Sequence, residues 1–224
     1  MDPTAAFTEL AAGVDPPLDR LALLVAAHGS RTTDDGFVAT QLARLDALAD
    51  DFGGHTGSEL MGWLAIRGFR GNEDDYYDAE NSFLDRVMDR GLGIPISLSV
   101  LAIEVGRRAG VGLVGIGLPG EFVVAERDHP DRFHNPFRGR SMTPDDVTAL
   151  VASMAGPDAA ASAAARRPVG TVDIVRRMLA NLSHIYGQGG RHGDLLWTLR
   201  LQAALPGAPP ETHRRLARVL AQFN

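Results

Sequence analysis

A mixed α+β fold, with one central buried helix on a small antiparallel sheet, is predicted by three features of this chain. Ile96 to Ala109 is apolar on nearly every side and is bounded by Pro95 and Gly110, the pattern of a helix packed all round. Short β-rich runs follow at once, with Pro119-Gly120 between Val111 to Leu118 and Phe122 to Ala125, which reads as tightly connected strands. Amphipathic helical spacing fills both ends of the chain, so helices should flank that core.

The elements follow in order. Asp15-Pro16 offers a cap and first helical position, and Leu18, Leu21, Leu24 and Val25 share one face until Gly29 ends the run. A second run follows Asp34-Asp35 with Val38, Leu42, Leu45 and Leu48. Ser58 is placed to cap a third helix carrying Leu60, Trp63 and Leu64. Phe69 to Glu80 is a polar loop with two adjacent tyrosines, after which Asn81-Ser82 should cap a short helix that turns Leu84, Val87 and Met88 inward. Beyond the central helix and the hairpin, Asp128 to Asp131 makes a turn before a short strand at Arg132 to Asn135. Thr143-Pro144-Asp145-Asp146 opens a helix to about Met154, since a cap, a proline and two acids suit a helix N-terminus. Gly156 to Gly170 reads as a loose connector, and helices near Thr171 to Tyr186, Arg191 to Leu205 and Pro210 to Phe223 complete the chain. The expected organisation is therefore a main domain over 1–155, a connector over 156–170, and a C-terminal helical hairpin of tetratricopeptide type over 171–224, too short for a repeat array.

Composition removes several functions. The chain of 224 residues has no cysteine, so thiol catalysis is excluded. All 22 basic residues are arginine and the net charge is −6, which argues against nucleic acid, whose backbone demands a basic face. No apolar run reaches membrane-spanning length, and MDPTAAFTEL carries acidic residues with no basic cluster, so no membrane association is expected and the cytoplasm is the expected location. The seven histidines follow no metal-ligand spacing, and neither a metal nor another cofactor is expected.

Four motifs carry a resemblance: GFRGNEDDYYDAENSFL from Gly68, GIPISL from Gly93, LPGEFVV from Leu118 and NPFRG from Asn135. Their content and order resemble bacterial transglutaminase-like proteins of the SirB-one branch. That resemblance implies a papain-like core in which a nucleophilic Cys starts the central helix, where free N–H groups and the helix dipole lower a thiol's pKa, with His and Asp on adjacent strands. Aligning the superfamily pattern puts Pro95 at the nucleophile, or Ser97 if the register slips by two. Family members read P-G-H-F and D-P-F where this chain has Glu121 and Asn135, so no catalytic residue is expected and Pro95, Ser97, Glu121 and Asn135 mark degenerate positions.

The expected function is a non-catalytic binding or regulatory module for a protein or peptide. The loop residues Asn72, Asp75, Tyr76, Tyr77 and Asn81, with His134, bring acceptors and aromatic faces beside the presumed cleft, which suits a cationic or peptide ligand. His134 alternates with Asn135 along its strand, so it points where Asn135 does not. The alternatives are a hydrolase or acyltransferase on peptide or amide bonds using Ser97 with Glu121, and a structural protein that docks a partner through its C-terminal helices. An ordinary Glu, with a pKa of about 4.3, is a poor base for a serine hydroxyl unless burial raises it.

Overall fold

The computed structural model describes residues 2–158 and 166–222. The chain opens with α1 (Pro3–Ala11), a helix not foreseen from the sequence, started by the Asp2 side chain on the Thr4 N–H. The next helix, α2 (Leu18–Gly29), begins two residues later than the Asp15-Pro16 signal because Asp15 sits in the left-handed region at φ 52° and Pro17 takes the cap position. Helix α3 (Phe37–Asp51) and helix α4 (Gly57–Ile66) follow. Thr56 rather than Ser58 caps α4, in a reciprocal box with Glu59 that satisfies two orphan N–H groups.

A two-residue strand, β1 (Arg70–Gly71), lies within the polar loop and pairs in parallel with β2 (Leu92–Gly93). Between them a 3-10 turn at Ala79–Ser82 takes the place of the expected Asn81-Ser82 cap, and α5 (Leu84–Arg90) starts after Phe83. The central helix, α6 (Pro95–Arg108), has every residue from Pro95 to Gly106 buried. Proline at its first position has no N–H to waste, and each buried Leu, Ile or Val contributes roughly 1.5–3 kcal/mol of transfer free energy.

The main sheet has the order β6-β5-β4-β3-β7 and is antiparallel throughout. Strands β3 (Leu113–Leu118) and β4 (Glu121–Glu126) form the expected hairpin, where Gly120 at φ 66° supplies the left-handed residue of the turn. Strand β5 (Phe133–Asn135) pairs with β4 and with β6 (Arg140–Met142), while β7 (Pro168–Val169) closes the other edge from within the expected connector. One sheet face carries Phe122 and Val124 into the core around α6, and the other carries Ile116, Leu118, Val123 and Phe133 against α7 (Pro144–Ala155). Residues 159–165 of the connector, and Phe223 at the end of the last expected helix, lie outside the described residues.

Helices α8 (Thr171–Gln188), α9 (His192–Ala204) and α10 (Pro210–Leu220) follow. They share the main core: Ile174, Met178, Leu182, Leu199 and Val219 belong to the same buried cluster as α2 and α6. An ion network also ties the elements. Arg108 reaches Asp19 at 2.6 Å, Glu104 at 2.7 Å and Asp46 at 2.7 Å, joining α6 to α2 and α3. Among the described residues no helix is long and apolar enough to cross a membrane.

Candidate functional site

The N-terminus of α6 is where the resemblance places a nucleophile, and its local chemistry is fully committed to structure. Pro95 offers no reactive atom. Ser97 is 0% exposed, and its hydroxyl lies 2.5 Å from the Asn81 carbonyl and 3.1 Å from the Ile94 carbonyl while accepting the Ile94 N–H at 3.1 Å. It therefore caps the helix from its third position and fastens the preceding loop to it.

That loop is held from within by two amides. Asn72 donates to Asn81 at 3.1 Å and accepts the Asp75 N–H at 3.1 Å, while Asn81 donates to the Asp75 carbonyl at 2.7 Å. Both are buried, so they shape the loop rather than face a ligand. Arg90 anchors the loop's far end on Asp78 at 2.7 Å. Glu73, Asp74 and Asp75 face outward with Tyr76 and Tyr77, the two rings in a T arrangement 5.4 Å apart and Tyr77 65% exposed. With Ile94 and with Asn181, His184 and Ile185 of α8, the tyrosines line a hollow of about 70 Å³, room for one side chain.

Glu121 and Asn135 stand on adjacent strands and share one face by strand alternation. Among the described residues no hydrogen bond joins Glu121 to Ser97 or to Asn135. Glu121 accepts the Phe122 N–H at 3.1 Å, and burial raises its pKa, opposed by that bond and by Arg138 and Arg177. Asn135 accepts the Arg138 N–H at 3.1 Å and closes the turn into β6. Tyr76 connects this end of the sheet to the loop. Its ring is 6.2 Å from Phe137, and its pKa is raised by burial and then by the Glu121 charge.

Arg177 was not singled out from the sequence. It donates to the Glu121 carbonyl at 2.7 Å and lies over the Phe122 ring at 5.5 Å, with burial lowering its pKa. No motif marks it, because it arrives from α8, about seventy residues after the end of α6. His134 lies apart from the tyrosine hollow, in a separate cavity with Ser58, Glu126 and Ser141. Among the described residues no group of three or more His, Asp and Glu side chains could hold a metal ion.

Comparison with known proteins gives one family. The chain is 39% identical over 129 residues to a UPF0162 protein of Xylella fastidiosa, covering 55% of this chain and 46% of that protein. A UPF0162 protein of Pseudomonas aeruginosa is 28% identical over 201 residues, which is 85% of this chain and 72% of that protein. F-box only protein 21 of Mus musculus is 43% identical over 56 residues, 25% of this chain and 9% of that protein. The match thus spans about half the length of the Xylella relative. No solved structure matches. The family model described as transglutaminase-like superfamily matches residues 17–180. With that match over most of its length, the chain belongs to the transglutaminase-like superfamily.

Proposed function

We propose that the superfamily cleft of this protein is non-catalytic and that the loop beside it binds a peptide or protein carrying cationic groups. The observation that carries the reading is Ser97: its hydroxyl is buried, capped on both sides by backbone, and separated by hydrogen bonding from Glu121. Nucleophilic catalysis needs a base on the attacking oxygen, and the oxygen here serves the fold.

The loop supplies the binding half of the proposal. Glu73, Asp74, Asp75 and Tyr77 are exposed together, while Asn72 and Asn81 hold their backbone rigid from beneath. Rigid aromatic faces beside carboxylates favour an Arg or Lys side chain, at roughly 0.5–1 kcal/mol for an exposed cation–π contact. The test is binding of immobilised Arg-rich peptides and of matched acidic peptides to wild type, Tyr77→Ala and Asp74→Asn/Asp75→Asn. Wild type should prefer the Arg-rich peptides, and both variants should weaken that preference about two- to fivefold. Equal retention of both peptide classes, or no effect of either variant, contradicts the proposal.

A further inference from the structure

Away from the former cleft, three adjacent strands align a carboxylate, an imidazole and a hydroxyl. His134 pairs with Val124 on one side and with Ser141 on the other, so alternation puts Glu126, His134 and Ser141 on one sheet face. The side chains are in contact: Glu126 Oε1 is 3.2 Å from His134 Nε2, and Ser141 Oγ is 3.0 Å from His134 Nδ1. The Ser141 hydroxyl can also donate to Ser58 Oγ, on the first turn of α4, at 3.2 Å, so its one proton is shared between the imidazole and Ser58 as the hydroxyl rotates.

The direction of the hydrogen bonds follows from the carboxylate. Arg132 lies 3.5 Å from Glu126, and an ionised carboxylate can only accept. The imidazole proton is thereby fixed on Nε2, leaving Nδ1 as the acceptor that faces the Ser141 hydroxyl. Burial differs along the line in the direction that base catalysis needs. His134 is 2% exposed and Ser141 is exposed. Burial lowers the pKa of His134 while Glu126 pulls it back up, so the ring is a neutral base near pH 7. Gly57 of α4 leaves the ring its place, since any Cβ there would collide with His134 Nε2. The line opens on a cavity of about 420 Å³ with Phe133 and Met142 in its wall, room for a short acyl group.

We propose that Ser141, His134 and Glu126 form a serine acyl-transfer centre for small acyl esters. Ser141 Oγ attacks the ester carbonyl carbon while its proton passes to His134 Nδ1. The C–O bond to the leaving alcohol then breaks, and the alkoxide takes that proton. Water attacks the acyl-serine with Nδ1 again as base, the proton returns to Ser141 Oγ, and the free acid leaves. Ser58, which lines the same cavity, can turn its hydroxyl to donate to the developing oxyanion, and Glu126 is a positioning residue that holds the imidazole tautomer. Nothing in this centre uses Ser97 or Glu121, so it stands or falls apart from the cleft.

The experiment uses the full chain with p-nitrophenyl acetate and butyrate, and with a fluorophosphonate probe whose site of attachment is read by mass spectrometry. The label should sit on Ser141, and Ser141→Ala should abolish both label and turnover, while Ser153→Ala on α7 leaves both unchanged. Glu126→Gln should lower kcat by about a hundredfold with KM unchanged, as expected for loss of an effective general base, and Glu126→Asp should recover part of it. Ser141 is exposed on an edge strand, so Ser141→Ala should keep the wild-type circular dichroism. A second readout needs no substrate. In this cysteine-free chain, Ser141→Cys introduces a lone thiol whose alkylation by iodoacetamide should persist well below the ordinary thiol pKa of about 8.5. Adding His134→Gln should restore the ordinary profile. Absence of label on Ser141, or an ordinary alkylation profile for Ser141→Cys alone, overturns the proposal.

Discussion

Replacing Ser97 with alanine tests whether the start of α6, where the resemblance places a nucleophile, is a structural joint. The hydroxyl is 0% exposed, meets the Asn81 carbonyl at 2.5 Å and accepts the Ile94 N–H at 3.1 Å. Ser97→Ala leaves that N–H with only a long 3.4 Å approach to the Asn81 carbonyl. An unsatisfied buried polar group costs about 1–3 kcal/mol, and the better helix propensity of alanine returns about 0.5 kcal/mol. The expected net loss is about 1.5 kcal/mol, which in a chain of this size lowers Tm by about 3–6 °C. Urea unfolding should give a lower midpoint at an unchanged m-value, and hydrogen exchange should accelerate across residues 72–82, because the loop loses its tie to α6. A variant within about 0.5 kcal/mol of wild type, with unchanged exchange in that loop, would refute the reasoning.

Three further outcomes follow from the same geometry. Arg108→Ala removes the cation that Asp19 and Glu104 share on one side; with Arg107 remaining, stability should fall by about 3 kcal/mol in chemical unfolding, and Glu104→Gln in the same chain should restore part of it. Asp85 is buried, with one oxygen on Ser30 at 2.9 Å and the other unpaired, and burial raises its pKa. Its folded form therefore holds the proton more tightly than the unfolded chain, so its contribution is fully present at low pH and is lost as pH rises from the ordinary carboxylate value through the raised one. Stability curves of wild type and Asp85→Asn should diverge over that window, the variant lacking the loss. Pro95→Cys alone should give no transamidase or amidase turnover above background, since the resemblance puts Glu121 and Asn135 at the base and its orienting partner, and such groups act as a unit.

The parts of the fold legible in the sequence were those whose signal is local. Helix α6 announces itself by apolar residues on every side between Pro95 and Gly110, and the β3–β4 hairpin by Pro119-Gly120. Strands β1, β2 and β7, two residues each, are too short to show any period. Their pairing is decided by tertiary contact, as with β7, which joins β3 across more than fifty residues. The helix starts were displaced by one or two residues where two capping residues competed, as with Thr56 against Ser58.

The site was legible to the same degree. Glu121 and Asn135 were placed by motif order, and the amide clasp of Asn72 with Asn81 lies within one loop. Arg177 and the line from Glu126 through His134 to Ser141 depend on strand register and on a distant helix, which residue spacing alone does not encode. Alternation of His134 with Asn135 was readable; that Ser141 and Glu126 would meet its ring was not.

The central claim, that the former nucleophile position serves structure and not chemistry, is tested most directly by turnover on a panel of amide and ester substrates, normalised to folded protein. Wild type, Ser97→Ala and Glu121→Gln should be indistinguishable on every substrate. Activity above background that both substitutions abolish, in protein shown to be folded, would contradict the account and assign catalysis to the cleft.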